Sequence, residues 1–264
     1  MKVIAWFSCG ITSAVACKMA IEMYGKKNVL LYYIHIDTAH DDNKRFIADC
    51  EKWFDKKIEV VKSHNYSDQF EVIEVNRFFN SPTGAKCTFL LKKKVRQKVE
   101  REHEGANQVF GFEYSKKEIN RAVRFSQQYP HAKPLFPLIE RMMTKEMCAE
   151  LLLKSGIRLP KMYELGFQNN NCIGCVKGGK GYWNMIRKHF PDTFQRMAEL
   201  EKEIGRSCIK DKFLSDMTES EGRYEPPIVP DCGTFCEVDF ADIIDPITDQ
   251  IIQTPAKIRQ LYLF

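Results

Sequence analysis

A chain of 264 residues with ordinary apolar and charged fractions is long enough to bury one sizeable core. Its net charge of +5 suits an anionic small molecule and falls short of the basic composition that argues for nucleic acid by itself. No apolar run approaches the roughly 18 residues of a membrane span, and MKVIAWF is too short for a signal-peptide core, so a cytoplasmic protein without a membrane partner is expected.

KVIAWF reads as a short apolar strand that stops abruptly at Ser8-Cys9-Gly10. Thr12 and Ser13 hand over to AVACKMAIEMY, a helix closed by Gly25. NVLLYYIHIDT is a second strand, and NKRFIADCEKWF carries apolar positions at helical spacing. KIEVV is a third strand, TFLLKKKVRQKVERE a strongly basic helix, and NQVFGF a fourth strand. Strands separated by helices of roughly ten to fifteen residues predict an α/β fold, a Rossmann-like parallel sheet with helices on both faces. Ligands of such sheets sit at the carboxyl ends of the strands, where Ser8 to Ser13, Asp37-Thr38 and Gly111 fall.

From about Pro134 the pattern changes. A proline-punctuated turn precedes a helix with Thr144 as N-cap and Gly156 as stop. NNNCIGCVKGGKG is a turn-rich knuckle, and YWNMIRKHFPDTFQRMAELEKEIG is helical with a break or new start at Pro191. The expected organisation is a nucleotide-binding α/β core over 1–133, a knuckle and helical extension of the same domain over 134–206, and a cysteine-containing tail over 207–264.

The segment Ser8-Cys9-Gly10-Ile11-Thr12-Ser13 can offer backbone N–H groups, hydroxyls and a helix N-terminus to an anion, or be an ordinary turn with a Ser/Thr cap. Its Ser-x-Gly-x-x-Ser pattern resembles the PP-loop of the adenine nucleotide α-hydrolase superfamily. IDT at Ile36 to Thr38, KCTFLLKK at Lys86 to Lys93, GFEYSKKEINRA, and the run from PLIERMM to NNNCIGC together resemble the phosphoadenosine phosphosulfate (PAPS) reductase-like family over roughly residues 1 to 180. A phage- and bacterium-encoded subgroup of that family carries a similar Phe-Ser-Cys-Gly loop and knuckle, which implies a bacterial or phage-infected host cell.

Departures from the family pattern are specific. Cys9 replaces the loop's first glycine and needs a glycine-like φ; it reads as a small buried hydrophobe or as a thiol sensed by the helix N-terminus, and packing is the preferred reading. Thr12 stands where ATP-pyrophosphatase members have Asp, and no arginine follows Gly111.

Ten cysteines read as buried thiols and metal or redox ligands, not as a disulfide framework. Cys172 and Cys175 have ligand spacing, and Cys232 with Cys236 can complete a four-cysteine zinc site. The resemblance implies instead a 4Fe–4S cluster on Cys87, Cys172 and Cys175, with Cys232 or Cys236 as the fourth ligand because Thr88 replaces the second cysteine of the family's pair. It also implies a C-terminal nucleophilic cysteine, for which Asp231-Cys232-Gly233 makes Cys232 the candidate. Cys17, Cys50 and Cys148 read as core thiols, and Cys208 is open.

Lys92, Lys93, Lys94, Arg96 and Lys98 read chiefly as a solvated face, with Lys92 and Lys93 as the exceptions that reach a nucleotide. Arg121 and Arg124 can pair with phosphate or sulfate, one or two of Lys177, Lys180, Arg187 and Lys188 can face the substrate, and Asp37 either binds nucleotide or caps the next helix. The leading expectation is a sulfonucleotide reductase acting on an adenine nucleotide with a thiol reductant such as thioredoxin. The alternatives are an ATP-pyrophosphatase that adenylates a nucleic acid base for thiolation with Mg²⁺, and a non-catalytic nucleotide-binding module.

Overall fold

The computed structural model describes residues 1–81, 84–210 and 212–223. Five parallel strands, β1 (Val3–Phe7), β2 (Val29–Ile34), β3 (Glu59–Val61), β6 (Asn107–Val109) and β7 (Pro134–Leu135), pair in the order β3-β2-β1-β6-β7. The order therefore reverses at the β1/β6 boundary, which opens a crevice beyond the strands' carboxyl ends. A two-residue pair, β4 (Asn80–Ser81) with β5 (Gly84–Ala85), is antiparallel and separate from this sheet.

Period-two alternation along β1 feeds two cores. Val3, Ala5 and Phe7 pack against α1 (Ile11–Tyr24), α2 (Asn43–Phe54) and α7 (Lys145–Lys154). Ile4 and Trp6 face the opposite layer, with Val99 of α4 (Lys94–Glu102) and Ile119, Ala122 and Val123 of α5 (Lys116–Gln128). Helices thus cover both faces, as the strand–helix alternation requires. A third core joins α3 (Gln69–Asn76) to α9 (Lys180–His189) and α10 (Pro191–Ile204) around the buried Trp183 and Phe70. Glu201 within it is fully buried and accepts the backbone N–H groups of Cys208 and Leu214, each at 2.6 Å.

The local stop signals act where the sequence places them. Thr144 Oγ1 caps α7, Gly156 follows it at φ +73°, and Pro191 starts α10. Several expectations need correcting. The second strand ends at Ile34, not Thr38, because β1 turns away at Ser8 and leaves β2 unpaired on that side. The basic helix is two segments, a π-helical turn over Thr88–Lys93 followed by α4. The strand β7 lies beyond residue 133, so the sheet draws on both of the first two expected segments. The expected tail from 207 onward is described only as far as 223, where Leu214 and Met217 belong to the third core.

Candidate functional site

The first crossover is held from within. Cys9 sits at φ +56°, the left-handed conformation that a glycine would take there, and its side chain is fully buried in the first core. Burial pushes its thiol well above the usual range, so Cys9 is a packing residue and not a reagent. Ser13 Oγ accepts the Ser8 amide at 3.0 Å and the Gly10 amide at 3.3 Å, and donates to the Gly10 carbonyl at 2.9 Å. Tyr163 Oη takes the Ile11 amide at 3.4 Å. Within the loop, Ser8, Gly10 and Ile11 give their amides to side chains, and Ile11 also buries its own side chain in the core. Thr12 and Ser13 open the first turn of α1, and Ser13 is buried as the loop's clasp.

Gly111 packs its backbone closely against the loop. A Cβ there would lie 2.6 Å from Ser13 Cα and 2.7 Å from Ser13 N, so the residue lets the end of β6 press against the loop. Asp37 donates its amide to Ser67 O and faces His35, 3.3 Å away. Thr38 accepts the Ile173 amide at 2.9 Å and so supports the knuckle.

Beside the loop, at the strand-order reversal, lies a cavity of about 500 Å³. Ser8, Tyr33 and Ile34 line it from the ends of β1 and β2, and Phe110 and Phe112 from beyond β6. Six basic residues reach it: Lys92, Lys93, Arg96, Arg121, Arg124 and Lys177. Its described lining holds no carboxylate. Arg121 stacks on Phe112 at 4.3 Å, and Arg96 on Tyr129 and Phe125 at 4.9 and 5.0 Å. Arg96 Nε also pairs with Glu100 at 2.8 Å, while its Nη2 is buried without a hydrogen-bond partner among the described residues. Arg96 is thus a cavity residue and not part of a solvated face. The aromatic wall has a weak sequence trace, since Phe125 and Tyr129 stand four apart and follow Arg121 at helical spacing.

The asparagine run before the knuckle ties the site together. Asn170 donates to the Cys9 carbonyl at 2.6 Å and to Asn43 Oδ1 at 2.7 Å, and Asn43 donates to Tyr33 Oη at 3.2 Å. The knuckle backbone is clamped as well. Tyr182 Oη donates to the Cys172 carbonyl at 2.9 Å and accepts the Cys175 amide at 2.8 Å, while Gln69 donates to the Ile173 carbonyl at 2.7 Å. Nothing in the sequence order alone singles out Tyr182, Gln69 or Asn43 for these roles.

Eight cysteines are described. Cys17, Cys50, Cys148 and Cys208 are buried with Cys9; Cys87, Cys172 and Cys175 are half-buried and lie close enough to interact electrostatically. Burial pushes the Cys87 thiol up to about 11, with the neighbouring thiols adding to it. Burial also raises Cys175, opposed by the Lys177 backbone N–H on its sulfur and by the charges of Lys92 and Lys177. Lys177 is lowered by its own burial. Among the described residues no group of three His, Cys, Asp or Glu side chains is placed to hold a metal ion. The three thiols are neighbours. Cys232 and Cys236 lie outside the described residues.

The family model of the phosphoadenosine phosphosulfate reductase domain matches residues 2–180. No curated protein and no solved structure gives a significant match. The matched span contains the whole parallel sheet, the first crossover and both knuckle cysteines, so the chain belongs to the phosphoadenosine phosphosulfate reductase domain family.

Proposed function

We propose that this cavity binds an adenine nucleotide and that the chain reduces a sulfonucleotide, either PAPS or its counterpart without the 3′-phosphate, adenosine phosphosulfate (APS). One observation carries the reading: six basic residues, of which Arg96 and Arg121 pair with Glu100 and Glu118 behind the lining, converge beside an aromatic wall and next to the Cys172 thiol at the switch point of the sheet. Such a lining suits a ligand with a flat ring and a multiply charged anionic end. The family membership supports the nucleotide, and the thiol edge supports sulfur chemistry.

In the reaction a cysteine thiolate attacks the nucleotide's sulfur. An S–S bond forms, the S–O bond to the 5′-phosphate breaks, and the nucleotide leaves with the electron pair. Lys92, Arg121 and Lys177 are placed to spread the charge that develops on the leaving phosphate. A dithiol reductant such as thioredoxin then releases sulfite and is itself oxidised. An iron–sulfur cluster or zinc on the knuckle would need ligands beyond the three neighbouring thiols, so the reading rests on thiols and cations alone. Adenylation of a nucleic acid base with Mg²⁺ and ATP fits less well, because the described lining gives the metal no carboxylate to share.

The test is sulfite release from PAPS and from APS, under anaerobic conditions with a dithiol reductant. No sulfite from either nucleotide would remove the reductase, and pyrophosphate release from ATP in the presence of RNA or DNA would replace it with the adenylation chemistry.

A further inference from the structure

The cation-rich cavity has two unlike ends. Lys92, Lys93, Arg96, Arg121 and Arg124 enter it from the π-helical turn, α4 and α5. The rings on that side already carry cations: Arg121 lies over Phe112, Arg96 over Phe125 and Tyr129, and the Lys93 ammonium over Tyr129 at 5.6 Å. The other end is neutral. Tyr33, Ile34, Ile36 and Ala39 line it from β2 and the loop that follows, with the side-chain amides of Asn43 and Asn170. Charge thus sends the phosphates of a nucleotide to the first end and its flat, uncharged base to the second.

At the neutral end the direction of the Asn170 amide is fixed. The Cys9 main-chain carbonyl can only accept, so the nitrogen of Asn170 must face it, at 2.6 Å. The same nitrogen donates to Asn43 Oδ1 at 2.7 Å, and Asn43 in turn donates to Tyr33 Oη. Both amide hydrogens are then used. Asn170 Oδ1 is left buried with no donor among the described residues. A buried acceptor without a partner costs more than a made hydrogen bond returns, and native folds leave few of them. Because Asn170 lines the cavity, a ligand is the source of the missing donor.

We propose, building on the adenine-nucleotide reading above, that Asn170 selects the base: its Oδ1 accepts a hydrogen bond from the exocyclic amine at position 6 of adenine. A purine with a carbonyl at that position sets two acceptors face to face and is refused. Such selection needs an oxygen that cannot move. A free amide would rotate and offer its nitrogen to the carbonyl, but here rotation would turn Oδ1 against the Cys9 carbonyl, again acceptor against acceptor. The main chain of the first crossover therefore sets which base the cavity takes.

The experiment is calorimetric titration of the full chain with adenosine 3′,5′-bisphosphate and with two analogues that keep its ribose and both phosphates. In one the base is hypoxanthine, with a carbonyl at position 6; in the other it is unsubstituted purine. The hypoxanthine analogue is expected to bind roughly 10-fold or more weakly, and the purine analogue roughly 5-fold more weakly, than the adenine compound. In Asn170→Ala all three should bind within about twofold of one another. That substitution also removes the ties to Cys9 and Asn43, which weakens all three alike, so the ratio isolates Oδ1. Thermal unfolding checks that the variant is folded, and the analogue series on the unsubstituted chain decides the matter if it is not. Equal binding of the adenine and hypoxanthine compounds, or a preference that survives in Asn170→Ala, would overturn the assignment and leave the nucleotide site standing. No binding of any of the three would remove the adenine nucleotide itself, and the assignment with it.

Discussion

Replacing Gly111 with alanine tests how tightly the end of β6 is set against the first crossover. The added Cβ would stand 2.6 Å from Ser13 Cα, 2.7 Å from Ser13 N and 2.9 Å from the Thr12 carbonyl carbon. All three are backbone atoms, so no side chain can swing aside. Ser13 is also the hub that accepts the Ser8 and Gly10 amides, and moving it breaks those bonds. Overpacking of this kind costs about 1–3 kcal/mol, and the backbone contacts place Gly111→Ala at the upper end. For a chain of this size that corresponds to a fall of roughly 4–10 °C in melting temperature. Gly179→Ala is the control: nothing lies within 4 Å of its Cβ and its φ is −82°, so only its N-cap role is at stake, under about 1 kcal/mol. The assay is urea and thermal unfolding of the three chains, with calorimetric binding of adenosine 3′,5′-bisphosphate alongside. Gly111→Ala within about 0.5 kcal/mol of the unsubstituted chain would show that the loop and β6 are not in contact as described.

Other substitutions probe the thiols and charges. Iodoacetamide on the native chain is expected to modify Cys87, Cys172 and Cys175 and to spare Cys9, Cys17, Cys50, Cys148 and Cys208 until unfolding, with peptide mass mapping as the readout. Cys9→Gly is expected to be more stable than Cys9→Ala by ~1 kcal/mol, because glycine takes φ +56° without steric penalty; the reverse order in a denaturant titration would contradict that. Lys177→Gln and Arg124→Gln should each weaken adenosine 3′,5′-bisphosphate roughly 10-fold and flatten its salt dependence, and unchanged affinity at two ionic strengths would move the anion site elsewhere. Burial pushes the Glu140 carboxyl up to about 7, which makes the neutral acid the favoured folded form. Its contribution is complete below its ordinary value near 4.5 and is lost as pH rises through 7. Glu140→Gln should therefore match the unsubstituted chain near about pH 4 and exceed it by ~1–3 kcal/mol at about pH 8 in urea titrations.

Local chemistry made much of the chain legible before its folding was considered. An apolar run broken at Ser8-Cys9-Gly10, a helix stopped by Gly25, a Thr144 cap and a Pro191 start each act within a few residues, and all appear at those places. The alternation of strands and helices was enough to require a parallel sheet covered on both sides, and the motif order was enough to point to the family. The two-residue strand β7 and the helix α3 leave no such local mark. A strand that short shows no period, and α3 is too brief to establish one.

The site itself depended on contacts that no spacing encodes. Asn170 meets the Cys9 carbonyl across 161 positions, and the Tyr163 hydroxyl meets the Ile11 amide across 152. Arg96 leaves an exposed-looking basic run only because the π-helical turn and α4 lay it against Phe125 and Tyr129. Which loop amides are already taken and which cations share one cavity are decided by packing between distant segments. Hydrogen-bond direction and burial depend on where the neighbouring backbone lies, and only the folded chain sets that.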